Sequence, residues 1–77
     1  MPPAEILVDA RGHRCPVPTL RLRRALEAAG PGARVRLLAD DPLARIDVPH
    51  FAAEAGAEVL ETSEAADGAL SFLVARR

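Results

Sequence analysis

The chain has 77 residues, a formal net charge of −1 and 49% hydrophobic residues, with Phe51 and Phe72 as its aromatic residues. That length admits one domain, residues 1–77, near the size at which small folds begin to need a disulfide, a metal or a partner. Cys15 is the single cysteine, which excludes an internal disulfide, a CxxC redox pair and a thiolate zinc site, so no metal and no cofactor is expected. The near-zero charge, with arginine but no lysine and no Tyr or Trp for base stacking, removes the general case for nucleic-acid binding.

No segment approaches the roughly 18 apolar residues of a membrane span. Met1-Pro2-Pro3-Ala4, followed by acidic Glu5 and a run of only Ile6-Leu7-Val8, lacks the charged start and long apolar stretch of a secretory leader. The reading is a cytoplasmic chain that meets no membrane, in a compartment where a free thiol stays reduced.

Glu5 to Asp9, short and β-branched, reads as a first strand, and Ala10 to Arg14 as the loop after it. From Pro16 to Ala29, the residues Pro18, Leu22, Ala25, Leu26 and Ala29 share one helical stripe, and Gly30-Pro31-Gly32 stops the helix. Arg34 to Ala39 alternates, with Val35, Leu37 and Ala39 on one face and Arg34 and Arg36 on the other, which makes a strand buried on one side. Asp40-Asp41-Pro42 follows as a helix-start signal. Because Pro49 interrupts the next segment, a short turn is expected over Leu43 to Ile46 and a regular helix from about Pro49, capped by Asp47 and ended by Gly56. Ala57 to Thr62 and Ala69 to Ala75 are the last strands, turned by Asp67-Gly68. The order βαβαββ, with a right-handed crossover between parallel first strands, makes an α/β (α+β) two-layer sandwich with both helices on one face.

The chemistry concentrates in Asp9-Ala10-Arg11-Gly12-His13-Arg14-Cys15-Pro16-Val17-Pro18. With Pro16 as the first helical residue, Cys15 takes the N-cap. The free N–H groups and positive end of the helix, with Arg11, Arg14 and His13 nearby, then favour thiolate over thiol. A Cys in a polar loop directly before Pro is poorly placed to be an inert core residue. His50 and Phe51 belong to the second helix, Phe51 in the core and His50 at the surface.

The segment Asp9-Ala10-Arg11-Gly12 leading into Cys15-Pro16-Val17-Pro18, together with Ala39-Asp40-Asp41-Pro42, Asp47-Val48-Pro49-His50-Phe51 and Gly56-Ala57-Glu58-Val59, resembles the TusA/SirA-like sulfur carriers over nearly the whole chain. The resemblance implies a mixed four-stranded sheet in the order 1-2-4-3 with the last strand antiparallel. It also implies that Cys15 accepts sulfane sulfur as a persulfide from a cysteine desulfurase or a rhodanese-like protein and relays it to an acceptor sulfurtransferase. Such a carrier acts stoichiometrically, by attack of one thiolate on an S–S bond and later departure of Cys15 from the outer sulfur. A second cysteine would expel the cargo by closing a disulfide, so the lone thiol agrees with carriage.

Several residues keep two readings at this level. Pro16 and Pro18 stiffen the thiol's platform or only mark a helix start. Asp9 orders the loop, with Gly12, or touches the sulfur; Asp40 and Asp41 cap a helix or steer Arg11 or Arg14. Val17, Leu20, Arg21 and Arg24 recur at i, i+3, i+4 and i+7, an apolar and cationic strip for an acidic partner or an ordinary solvated face. The alternative function is a regulatory or protein-interaction module of the same fold whose thiol is never loaded. Related proteins serve tRNA thiolation, molybdenum-cofactor maturation, sulfur-compound oxidation and selenium handling, and partners acting in trans decide among these. A monomer is expected, or a weak dimer through Leu38 and Leu73 on the uncovered sheet face.

Overall fold

The computed structural model describes residues 5–76. Met1 to Ala4, on which the reading about a leader rests, lie outside the described residues. Six elements follow in the expected order: β1 (Glu5–Asp9), α1 (Val17–Ala29), β2 (Arg34–Ala39), α2 (Ala44–Glu54), β3 (Ala57–Glu64) and β4 (Leu70–Arg76). The sheet order is β1-β2-β4-β3. β1 and β2 are parallel, with Ile6 opposite Val35 and Val8 opposite Leu37. β4 runs antiparallel to both β2 and β3. This is the mixed sheet that the resemblance implies.

One face of the sheet is apolar at every second position, so Val35, Leu37 and Ala39 of β2 and Leu70, Phe72 and Val74 of β4 meet Leu22 and Leu26 of α1 and Val48, Phe51 and Ala52 of α2 in one core. Helix α1 faces it with the stripe expected of it: Pro18, Leu22 and Leu26 are buried. The last turn of α1 carries no basic residue of its own. Arg76 supplies one from β4, its Nη1 donating to the carbonyls of Leu26 (2.8 Å) and Glu27 (3.2 Å), where a cation suits the negative helix end.

Helix α2 corrects the sequence reading. It is one helix from Ala44 with Pro49 inside it, and not a turn followed by a helix from Pro49. The turn expected over Leu43 to Ile46 is present as its first turn. There, Arg45 N–H donates to the Pro42 carbonyl (3.2 Å) and Ile46 N–H to that of Leu43 (3.0 Å), short-range bonds of the 3₁₀ kind, before Asp47 N–H reaches Leu43 in the α pattern (2.9 Å). Pro49 costs only the bond its N–H would have made, because burial of Val48, Phe51 and Ala52 holds the helix to the sheet. Asp47 is therefore a first-turn residue and not the cap. His50 is exposed and its Nε2 lies 2.8 Å from Glu54.

The uncovered face is closed by charge. Leu73 lies opposite Arg36 on one side and Glu61 on the other. The Arg36 guanidinium contacts Glu61 (3.3 Å), Glu5 (3.4 Å) and the Ser71 hydroxyl (2.9 Å), so the bridge passes over Leu73, which is only 4% exposed. Leu73 is thus withdrawn from the dimer contact considered above. In β3 the register slips between Val59 and Glu61, a bulge that turns Leu60 outward.

The two faces of α1 give a direct comparison. Leu22→Ala should lower unfolding stability by about 2–5 kcal/mol, whereas Leu20→Ala on the outer face should change it by about 0.5 kcal/mol or less in urea titrations. Equal losses would contradict the packing.

Candidate functional site

Because β1 and β2 are parallel, both end at the same edge of the sheet, and the loops that follow them are neighbours. Ala10 extends the ladder, its N–H donating to the Leu38 carbonyl (2.8 Å). Past it, the polar loop is held by carboxylates. Asp9 Oδ1 accepts from the Arg11 N–H (3.1 Å) and Nε (2.9 Å), and its Oδ2 from Arg11 Nη2 (2.8 Å). Gly12 adopts φ +85°, a conformation strained for any residue with a Cβ, and its N–H points at both oxygens of Asp40 (2.9 and 3.0 Å). Cys15 N–H donates to Asp41 Oδ2 (2.9 Å), while Asp41 Oδ1 accepts from Leu43 N–H (3.0 Å).

Asp40 and Asp41 do more than either of their two readings allowed. Asp41 caps the entry to α2, as one reading held: its Oδ1 accepts the Leu43 N–H and its carbonyl the Ala44 N–H (3.0 Å). Both also tie the Cys15 loop to the loop after β2. Asp9 orders its own loop, as one of its two readings held. Arg21 joins in, its Nη1 donating to the Asp9 carbonyl (2.8 Å).

Cys15 is not the N-cap. Pro16 holds that position with φ −93° and ψ 10°, makes no side-chain capping bond, and follows Cys15 through a cis peptide. The helix begins at Val17, so Cys15 stands one residue outside the cap, where the pull of the helix end is weaker. The nearby charges are also opposite to those expected. The Arg11 guanidinium is taken by Asp9, and Arg14 exerts its pull on Asp41. The thiol is half-buried against the core. Burial first, then Asp47 and more weakly Asp41, push the thiol up from 9.0 to about 11. The free chain therefore holds Cys15 as a neutral thiol, contrary to the thiolate expected from the sequence.

Pro18 is buried beneath the start of α1, and Pro16 forms its entry beside the thiol. Val17 and Leu20 are exposed, at 37% and 50%, and so are Leu43 and Ile46, at 55% and 68%. Arg21 and Arg24 share the outer face of α1, although the bond to Asp9 commits Arg21 to the loop. Asp47 is the site residue that sequence reasoning missed. Assigning it to a cap hid it, whereas continuing α2 through Pro49 would have turned it toward the end of the sheet that carries Cys15. Among the described residues no group of three or more His, Cys, Asp or Glu side chains is placed to hold a metal ion, and no helix is long and apolar enough to cross a membrane.

Fold and site together define a two-layer α/β protein that presents one half-buried sulfur at the edge where its parallel strands end. The family model described as sulfurtransferase TusA matches residues 6–76. A protein of Archaeoglobus fulgidus is 40% identical over 67 residues, 87% of each chain. The sulfur carrier protein TusA of Allochromatium vinosum is 36% identical over 67 residues, again 87% of each chain. The crystal structure of a SirA-like protein from Desulfitobacterium hafniense superposes with a TM-score of 0.82 at 31% identity, covering 94% of this chain and 99% of that one. The chain belongs to the TusA family.

The loop carboxylates make the fold acid-sensitive. The Arg11 bonds hold Asp9 down from the ordinary 3.8 to about 2, and the Cys15 and Leu43 N–H groups hold Asp41 below its ordinary value. A depressed carboxyl contributes stability that is complete above its unfolded value and lost as pH falls through the folded one. An Asp9→Asn/Asp41→Asn double variant should therefore be less stable than wild type at about pH 6, with the gap narrowing toward about pH 2 in urea midpoints. A gap independent of pH would mean that these carboxylates are not held as described.

Proposed function

We propose that the chain is a sulfur carrier in which Cys15 bears the cargo as a persulfide, taken from a donor protein and delivered to an acceptor protein. The supporting observation is the position of the chain's one sulfhydryl: on a tethered loop at the sheet edge, within the Cys15-Pro16-Val17-Pro18 motif, in a chain that matches the TusA family over residues 6–76. Loading joins Cys15 Sγ to the outer sulfur of the donor's persulfide and breaks the donor's S–S bond. Delivery is the reverse event with an acceptor thiolate as nucleophile and Cys15 as leaving group. Nothing else is consumed, so a domain of this size needs only to present one sulfur and to be recognised.

The donor in this reading is a cysteine desulfurase or a rhodanese-like protein, the acceptor a sulfurtransferase, and the encounter cytoplasmic and in trans to a single domain of residues 1–77. Partners approach over the exposed residues at the start of α1, Val17 and Leu20, with Arg24 beside them for an acidic surface. Arg21 serves the strip indirectly, by fixing the end of β1 against α1.

Intact-protein mass spectrometry under non-reducing conditions tests the loading step after incubation with a cysteine desulfurase and cysteine. Wild type should gain one or more sulfur atoms that reductant removes, and Cys15→Ser none. Failure of wild type to gain sulfur from either donor class would leave the unloaded interaction module as the better reading.

A further inference from the structure

The end of the molecule opposite Cys15 holds a cavity. β4 is antiparallel to β2, so Arg76 lies where β2 starts, and both helices end on that side. Between the helix ends, a cavity of about 320 Å³ has Leu26, Phe51 and Ala57 as apolar walls, with Arg23, Glu27 and Arg76 also lining it. That volume is at the lower end of the range for small-molecule sites, about 300–1,000 Å³.

Arg23 supplies the cavity with uncommitted donors. Its guanidinium carbon stands 5.4 Å from the centre of the Phe51 ring, a cation–π distance. Glu27, four residues on, is where a helix ordinarily offers an arginine its carboxylate. Among the described residues no ion pair joins the two, and Arg23 makes no hydrogen bond. A ring holds a guanidinium through its π face and leaves the N–H groups for an anion. The backbone around the cavity, by contrast, is already paired. Arg76 Nη1 takes the carbonyls of Leu26 and Glu27. Arg76 N–H donates to the Ala33 carbonyl (3.0 Å), its carbonyl accepts from Gly32 N–H (3.1 Å), and Ala55 N–H donates to the Phe51 carbonyl (2.9 Å). A peptide laid here finds little main chain to bond with, whereas a small molecule needs only apolar walls and one anion-binding group.

We infer that this cavity is a binding site for a small organic acid: an aromatic or aliphatic body packs on Leu26, Phe51 and Ala57, and its carboxylate takes the N–H edge of Arg23. Arg76 adds positive charge and Glu27 opposes it, which leaves two cations against one acid. An uncharged apolar molecule would leave the Arg23 donors unused, and a compact anion would leave the walls wet. Walls and guanidinium together therefore select the class. The site uses neither Cys15 nor its loop, so it stands whether or not the thiol is loaded.

Backbone amide NMR shifts of the full chain, titrated with phenylbutyrate and separately with its neutral analogue phenylbutyramide, test the site. The acid should move the amides of Arg23 to Glu27, Phe51 to Ala57 and Arg76, saturating at roughly millimolar concentration, and leave those of Gly12 to Cys15 in place. The neutral analogue should bind at least about tenfold more weakly. Arg23→Gln should bind the two alike. No saturating shift up to about 10 mM acid, equal binding of the two probes by wild type, or a preference for the acid kept by Arg23→Gln overturns the site. The first two outcomes use wild type alone and decide the matter even if the variant fails to fold.

Discussion

Everything at the site depends on the parallel pairing of β1 with β2. That pairing ends both strands on one edge, with Asp9 opposite Leu38, and sets a loop containing the thiol beside a loop that begins with two aspartates. Asp40 and Asp41 then accept the N–H groups of Gly12 and Cys15. Past the buried Ala10, the loop residues Arg11, Gly12, His13 and Arg14 are all exposed, so these carboxylate bonds and the Asp9–Arg11 pair are what give the loop one shape. An antiparallel β1 would have carried Cys15 to the opposite edge, away from both aspartates and from α2.

Much of the framework was legible because its periodicities are strong. The alternation of Val35, Leu37 and Ala39 and the stripe of Pro18, Leu22 and Leu26 are direct readouts of a one-sided core, and they correspond to the buried residues of the structure. The start of α2 was not legible, because Pro49 is a local signal that competes with a tertiary one. The apolar residues Val48, Phe51 and Ala52 hold the helix through a proline that would end an isolated one. Leu73 was misjudged for a similar reason: its cover is an ion pair between Arg36 and Glu61, residues 25 apart in sequence, which no local pattern reveals.

At the site, sequence located the sulfur and mistook its electrostatics. Counting charges along the chain places Arg11, His13 and Arg14 next to Cys15 and Asp47 far from it. Folding reverses that proximity. Arg11 turns back onto Asp9, Arg14 exerts its pull on Asp41, and α2 brings the charge of Asp47 to bear on the thiol from 32 residues away. The consequence is a thiol at the sheet edge that burial and carboxylates, rather than cations, surround.

The central claim is that Cys15 carries sulfur which leaves again. The most direct measurement is a chase: the chain is loaded with radiolabelled sulfur from a cysteine desulfurase, separated from the donor, and mixed with an acceptor sulfurtransferase under non-reducing conditions. The account predicts that label departs from Cys15 and appears on the acceptor's cysteine, with none carried by Cys15→Ser. Label that stays on the chain with every acceptor class, or that attaches equally to Cys15→Ser, would contradict it.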